Sequence, residues 1–475
     1  LLYNQDELVN NVPGNNLINS LPKRKQGLAG RLSYAYDGKY MAEVNMGYNG
    51  SENFAKGYRW GFFPSIALGY NISEESFFEP LRKVITSMKL RGSWGLVGND
   101  QIGGERFIYM PTINLSGKGF TTGIDQNYGL SGPVYTRYEN NSITWEVGEK
   151  INLGIDLQLL NSLNIVVDIF RETRRDIFQK KGTIPTYLGT GNTDVFGNLA
   201  EMKNQGLDLS IDYNKAFSKD FYMNFKGTFT YAHNEITKYD EAPKYAFQSK
   251  VGQSANVSQG YLSNGLFLDE AEIDRYNQQM GSTLGAGDIK YLNVSNMHGY
   301  GDDIVDVDDW TWIGNPTVPE IVYGFGPSFK YKNWDFSFFF QGVAKTSLFM
   351  SGFHPFGDNS LRNVLQFVAN DRWSPTNQNV DAKYPRLTRK TSLNNTNPGN
   401  SGRTSDYWMR DGSFLKLKNM ELGYTFKRMR FYISGSNLLT FSKFDLWDPE
   451  QGGGSGLKYP TQRVFNVGFQ MTFNN

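Results

Sequence analysis

The chain has 475 residues, of which 39% are hydrophobic, 15% are aromatic and 51 are glycine. Its mean hydropathy is −0.49, and the absence of any apolar run of about 18 residues excludes a transmembrane helix. Basic and acidic residues number 48 and 47, a net charge of +1. Without a polybasic run nothing points to nucleic acid. The absence of cysteine excludes disulfides, zinc–thiolate centres and cysteine nucleophiles.

The period along the chain is two, the signature of strands with one apolar and one polar face. About 13 strands are predicted in chain order, near 27–37, 40–48, 59–72, 87–97, 148–159, 163–171, 205–215, 221–233, 320–331, 334–344, 410–426, 428–438 and 463–473. Leu163, Ile165, Val167 and Ile169 alternate with Asn164 and Asp168, and Leu207, Leu209, Ile211 and Tyr213 with Asp208, Ser210 and Asp212. Many segments reach the roughly ten residues that cross a bilayer when tilted. Tight connections (Asp37-Gly38-Lys39, Asn161-Ser162, Lys332-Asn333, Lys427-Arg428) alternate with long polar ones near 98–147, 172–204, 234–319, 345–409 and 439–462. Short turns on one side and long loops on the other mark an outer-membrane barrel. The fold class expected is therefore all-β, a transmembrane antiparallel β-barrel with long extracellular loops. The odd strand count, where single-chain bacterial barrels favour even numbers, leads us to expect further strands ahead of Leu1.

The last strand carries Phe465, Val467, Phe469, Met471 and Phe473 on one face, and Asn466, Gly468, Gln470 and Thr472 on the other. Asn466, Gly468, Met471 and Phe473 resemble the signal read by the barrel-assembly machinery: a polar residue, a glycine two positions on, then hydrophobic residues three and five beyond. The departure is the two-residue Asn474-Asn475 tail. An ordinary amphipathic edge strand gives the same alternation.

Several segments spread over residues 27–475 resemble the SusC/RagA group of TonB-dependent outer-membrane transporters. They are Gly57-Tyr58-Arg59-Trp60-Gly61-Phe62-Phe63-Pro64-Ser65, Leu90-Arg91-Gly92-Ser93-Trp94-Gly95, and Gly197-Asn198-Leu199-Ala200-Glu201 with Gly206. Further along stand Arg372-Trp373-Ser374-Pro375, Tyr384-Pro385-Arg386-Leu387 and Asp406-Tyr407-Trp408. Asp411-Gly412-Ser413-Phe414-Leu415-Lys416-Leu417-Lys418-Asn419, Asn437-Leu438-Leu439-Thr440 and Tyr459-Pro460-Thr461-Gln462-Arg463 complete the set. The resemblance implies a plugged barrel of about 22 strands, of which this chain supplies the C-terminal portion. It also implies active import of an oligosaccharide or peptide, a SusD-like surface lipoprotein as lid, and coupling to TonB–ExbB–ExbD through an N-terminal plug that this sequence does not include. A passive porin or barrel-type adhesin is one alternative reading. A soluble secreted glycan-binding β-protein is another, against which the alternating loop lengths argue.

No catalytic or nucleotide-binding constellation stands out. His233, His298 and His354 lie far apart and fit no triad or metal motif, and Gly452-Gly453-Gly454-Ser455 lacks the lysine of a phosphate-binding loop and reads as a flexible linker. Asp302, Asp306 and Asp308, with Asp303 and Asp309 beside them, offer hard oxygen ligands at a spacing that suits a structural Ca²⁺; relatives carry a calcium-like loop here. A solvated acidic loop is the simpler alternative. For ligand contact, flat aromatics beside carboxylates suit sugars. The candidates are Trp310, Trp312, Trp373, Asp406, Tyr407, Trp408, Trp447 and Asp448, although aromatics also form membrane girdles and pack loops together.

Overall fold

The computed structural model describes residues 1–9, 21–102, 106–185, 187, 194–276, 278–279, 284–352, 363–387, 395 and 404–473. His354, Asn474 and Asn475 lie outside them. Among the described residues fourteen strands follow one another in chain order in an antiparallel sheet. They are β1 (Leu2–Leu8), β2 (Lys23–Tyr36), β3 (Tyr40–Ser51), β4 (Trp60–Asn71), β5 (Ile85–Asn99), β6 (Glu146–Leu159) and β7 (Leu163–Lys180), then β8 (Phe196–Ala216), β9 (Phe221–Lys238), β10 (Ile321–Tyr331), β11 (Trp334–Ala344), β12 (Phe414–Phe426), β13 (Met429–Ser442) and β14 (Val464–Met471). No described helix is long and apolar enough to cross a membrane.

The expected strands are all present, and β1 is added. Its even positions carry Leu2, Asn4, Asp6 and Leu8 and its odd ones Tyr3, Gln5 and Glu7, so neither face is apolar and the periodicity that reveals the others is missing. The fourteenth strand removes the odd count on which the expectation of strands ahead of Leu1 rested. Two long loops also shrink. Strands β7 and β8 run through most of the predicted 172–204 connection, and their 18 and 21 residues exceed the roughly ten that a bilayer requires. Within the 98–147 connection, Thr112–Thr122 and Tyr128–Arg137 form a hairpin of their own.

The chain comprises two compact units, Leu1–Asp208 with Ala232–Ala242 and Lys250–Gln253, and Leu209–Tyr231 with Pro243–Ser249 and Ser254–Asn475. In the first unit the apolar side chains of the strands are turned to the exterior: Leu32, Tyr34 and Tyr36 on β2, Val44, Met46 and Tyr48 on β3, Phe62, Ile66 and Leu68 on β4. A sheet that exposes this face is built for lipid rather than water. Tyr40 stacks on Tyr70 at 5.2 Å and Tyr48 on Trp60 at 4.8 Å. Eight residues separate Tyr40 from Tyr48, about 27 Å along a strand, which matches an apolar band about 25 Å tall between two aromatic girdles. The opposite face is polar. Arg91 bridges Asp156 at 2.7 Å and Asp168 at 3.0 Å, and Arg31 pairs with Glu43. Tight turns use the left-handed backbone such hairpins demand: Asp37 and Gly38 have φ of 52° and 64°, and Leu160 and Asn161 have φ of 51° and 54°.

The second unit repeats the pattern. Trp334, Phe431, Ile433, Phe465, Val467 and Phe469 face outward, and Arg430 is held between Asp335 and Glu421 on the other face. At β14, Asn466 pairs with Ser434 and Gly468 with Tyr432. A Cβ on Gly468 would stand 2.1 Å from the Tyr432 ring, so the glycine is the seat on which that ring lies.

Candidate functional site

The connections on the long-loop side are folded. In the second unit, segments from 254–320, 345–413 and 443–463 meet in one apolar core containing Tyr261, Leu266, Ile289, Tyr291, Met350, Trp373, Tyr384 and Trp408. Most of the aromatics expected to touch ligand are structural members of this core or its margin. Trp408 is 0% exposed and Trp373 6%, so neither offers a ring face to a ligand. Trp408 makes edge contacts with Tyr384 at 5.6 Å and Tyr407 at 4.9 Å. Trp373 lies over Gly287, where a Cβ would stand 2.3 Å from the indole. Trp310 packs against the same core, edge-on to Tyr261 at 6.0 Å. The Trp312 indole donates to the Ser249 carbonyl at 2.9 Å. Trp447 meets Phe444 edge-on at 4.5 Å and donates to the Gly452 carbonyl at 3.0 Å. The Tyr407 hydroxyl donates to Ala382 O at 2.8 Å, and burial raises its pKa well above the usual phenol value, so it stays a neutral donor. Asp406 accepts from the Ser263 backbone and hydroxyl at 2.7 and 2.6 Å.

Two ionic centres that the sequence reading missed lock these loops. Asp288 is 0% exposed and accepts from Arg386 at 2.5 and 3.0 Å, from Asn395 at 2.7 Å and from the Gly285 N–H at 3.0 Å. Lys416 is also wholly buried, and its ammonium reaches Asp448 at 2.5 Å and Glu450 at 2.8 Å, while Lys418 reaches Glu450 at 2.6 Å. Asp448 is thus committed to Lys416. The two lysines, two residues apart on β12, fall on one face of the strand, and beside them β12 and β13 share a bulge: Leu417 opposes Leu439, but Asn419 opposes Ser436. Asn437 absorbs the irregularity at φ 55°, a conformation asparagine tolerates better than most residues.

The segments that carry the family resemblance serve as fastenings. In the first unit the Trp145 indole donates to Arg59 O at 3.1 Å, and Phe63 covers Gly61 and Gly98. Asn198 accepts from Thr144 N at 3.0 Å and donates to Thr144 O and Asp176 O at 2.9 and 2.7 Å.

The acidic loop is satisfied internally. Asp302 accepts from Ile304 N at 3.2 Å, Asp306 caps a short 3₁₀ turn through Asp308 N at 2.8 Å, and Asp308 pairs with Lys244. Among the described residues no three acidic or histidine groups converge to hold a metal.

Within the second unit, bordering this core at Leu348, lies a half-open pocket of about 630 Å³ whose wall includes Gln341, Phe349, Phe414, Glu450 and Gly452 to Gly454. The size is that of a small-molecule site.

Residues 2–438 match the family described as TonB dependent receptor-like, beta-barrel. The chain is 27% identical to TonB-dependent receptor P3 of Formosa agariphila over 481 residues, covering 94% of this chain and 45% of that protein. It is 28% identical to TonB-dependent receptor SusC of Bacteroides thetaiotaomicron, covering 94% of this chain and 43% of that one. The solved structure of the RagAB peptide transporter superposes with a TM-score of 0.70 at 20% identity, over 95% of this chain and 48% of that chain. The chain therefore spans a little under half the length of the curated relatives it matches. The exposed apolar face, the lopsided loops and the match over nearly the whole sequence lead to one conclusion: this chain belongs to the TonB-dependent receptor-like β-barrel family of the outer membrane, as its SusC/RagA-like segments imply.

Proposed function

We propose that the chain forms barrel wall and extracellular loops of an energy-coupled importer that carries an oligosaccharide across the outer membrane. The observation that carries this reading is the buried loop core of the second unit, centred on Trp408 and Trp373. A passive pore needs an open mouth; here long loops are fixed by an apolar core and by two buried ion-pair centres. Ligand capture outside, a SusD-like lipoprotein as lid, and traction by TonB–ExbB–ExbD on a plug complete the scheme. Assembly runs through the barrel-assembly machinery, reading β14. No covalent chemistry is involved. Peptide cargo is the second reading, favoured by the fold shared with a peptide transporter.

The test is uptake of fluorescently labelled oligosaccharide by cells producing the full-length protein, with and without a protonophore. An importer loses uptake when the proton gradient collapses. Uptake that persists unchanged identifies a passive pore and ends this reading.

A further inference from the structure

The outward face of β7, in the first unit, changes character at one residue. Leu163, Ile165, Val167 and Ile169 occupy its first four outward positions, and the next, Arg171, is an exposed arginine. The pleat places Arg171 on the lipid face, and its neighbours agree. It opposes Ile151 on β6, which in turn opposes Trp94 on β5, and both are exposed apolar side chains. The other parity of β7 faces the interior. There Asp168 holds Arg91 at 3.0 Å, and Glu172 meets Arg174 at 3.3 Å and Lys150 at 3.8 Å.

The height of Arg171 follows from counting. Strands β3 and β7 each start from a tight turn at the same end of the sheet, and Arg171 is the ninth residue of β7 as Tyr48 is of β3. Tyr48 stacks on Trp60 in the girdle at the long-loop end of the apolar band. Arg171 therefore stands about 27 Å along its strand, where hydrocarbon gives way to the headgroups of the outer leaflet. A cation facing lipid destabilises a barrel by an amount that grows with its depth, so this position favours an anionic partner. Among the described residues no carboxylate pairs with Arg171. The outward carboxylate nearby, Glu149, is taken by the Trp94 indole at 2.8 Å and by Arg175 at 3.6 Å. The anion that the membrane supplies at this height is the phosphate of an outer-leaflet glycolipid, which a guanidinium grips through two parallel N–H···O bonds. Ile151 and Trp94 offer apolar wall to its acyl chains.

We propose that Arg171, with Ile151 and Trp94 beside it, binds the phosphate of a phosphorylated glycolipid of the outer leaflet, at a site on the outside of the barrel wall. The inference rests on the chain's place in the outer membrane and is independent of what the barrel carries. The experiment is native mass spectrometry of the full-length protein in detergent, titrated with diphosphoryl lipid A. Dephosphorylated lipid A, phosphatidylglycerol and inorganic phosphate are the comparison probes. Arg171→Gln removes the proposed contact, and Arg174→Gln removes an interior cation three residues away. Heat-dependent mobility on gels checks that each variant forms its barrel. Diphosphoryl lipid A should bind, and Arg171→Gln should weaken it about tenfold, the order of one lost charge-assisted hydrogen bond, while Arg174→Gln leaves it unchanged. If Arg171→Gln does not assemble, Arg171→Lys carries the test with a smaller loss, since it keeps the charge but not the paired geometry. No binding of lipid A, equal binding of its dephosphorylated form, or equal loss in both glutamine variants would each overturn the proposal. So would Arg171-dependent binding of phosphatidylglycerol or inorganic phosphate at the same affinity, because the site would then select phosphate and not the glycolipid.

Discussion

At the scale of single residues, the loops depend on charges taken out of water. Asp288 is wholly buried and Arg386 is its charged partner. Removing one member of a buried pair leaves the other uncompensated, at a cost of about 3–5 kcal/mol. Arg386→Ala should therefore open the loop core to external protease, whereas the double variant Asp288→Leu/Arg386→Leu, which removes both charges, should be cut more slowly than the single one. Equal cleavage of the two would mean that the pair contributes through packing alone. The Lys416 centre predicts a pH dependence. Burial pushes the Asp448 and Glu450 carboxyls up, but the hydrogen bond and charge of Lys416, joined at Glu450 by Lys418, outweigh it and hold both below their ordinary values of 3.8 and 4.5. A carboxyl whose folded pKa is depressed contributes stability above its unfolded value and loses it as the pH falls through the folded one. The loops should therefore be indifferent to pH above about 5 and loosen below about 4. Lys416→Met should abolish that acid step, and a step that persists in this variant would place its origin elsewhere.

At the scale of elements, the decisive features are one glycine seat and one bulge. Gly468→Leu would drive a side chain into the space of the Tyr432 ring, and its expected result is less assembled, heat-modifiable barrel in outer membranes. Tyr432→Ala alone should be milder, because it vacates space instead of contesting it. If Gly468→Leu assembles normally, Tyr432 has another place to go. The strands themselves were legible because a sheet between lipid and a polar interior must alternate, and β2 to β14 do. Strand β1 was not, since Leu2 and Leu8 are separated by Asn4 and Asp6 on the same face. The outward extensions of β7 and β8 were missed because beyond the bilayer neither face needs to be apolar: Glu172, Arg174 and Arg175 engage in ion pairs there. The bulge at Lys418 was invisible for a further reason. It shows only when β12 and β13 are laid side by side, although both halves, Lys416-Leu417-Lys418 and Asn437-Leu438, stand among the segments singled out by resemblance.

At the scale of the whole molecule, the candidate site was the least legible part, because an aromatic beside a carboxylate has two uses that a sequence cannot separate. Trp408 next to Asp406 resembles a sugar platform, yet its indole is wholly buried and Asp406 is spent on Ser263. The cavity, by contrast, is framed by glycine, glutamine and phenylalanine contributed from positions more than a hundred residues apart, and no local motif announces it. The same architecture separates two kinds of stability. Strand pairing is held by the ladder of β10 to β14, while the loops of that unit are held by the core around Trp408. Trp408→Ala should cost the loop core about 3–5 kcal/mol and leave the ladder intact. The expected signature is a protein that keeps its heat-modifiable mobility and its place in the membrane but is cleaved from outside within residues 254–320 and 345–413. Simultaneous loss of both properties would show that loops and strands fold as one cooperative unit, and the loop core would then have to be counted as part of the barrel's own stability.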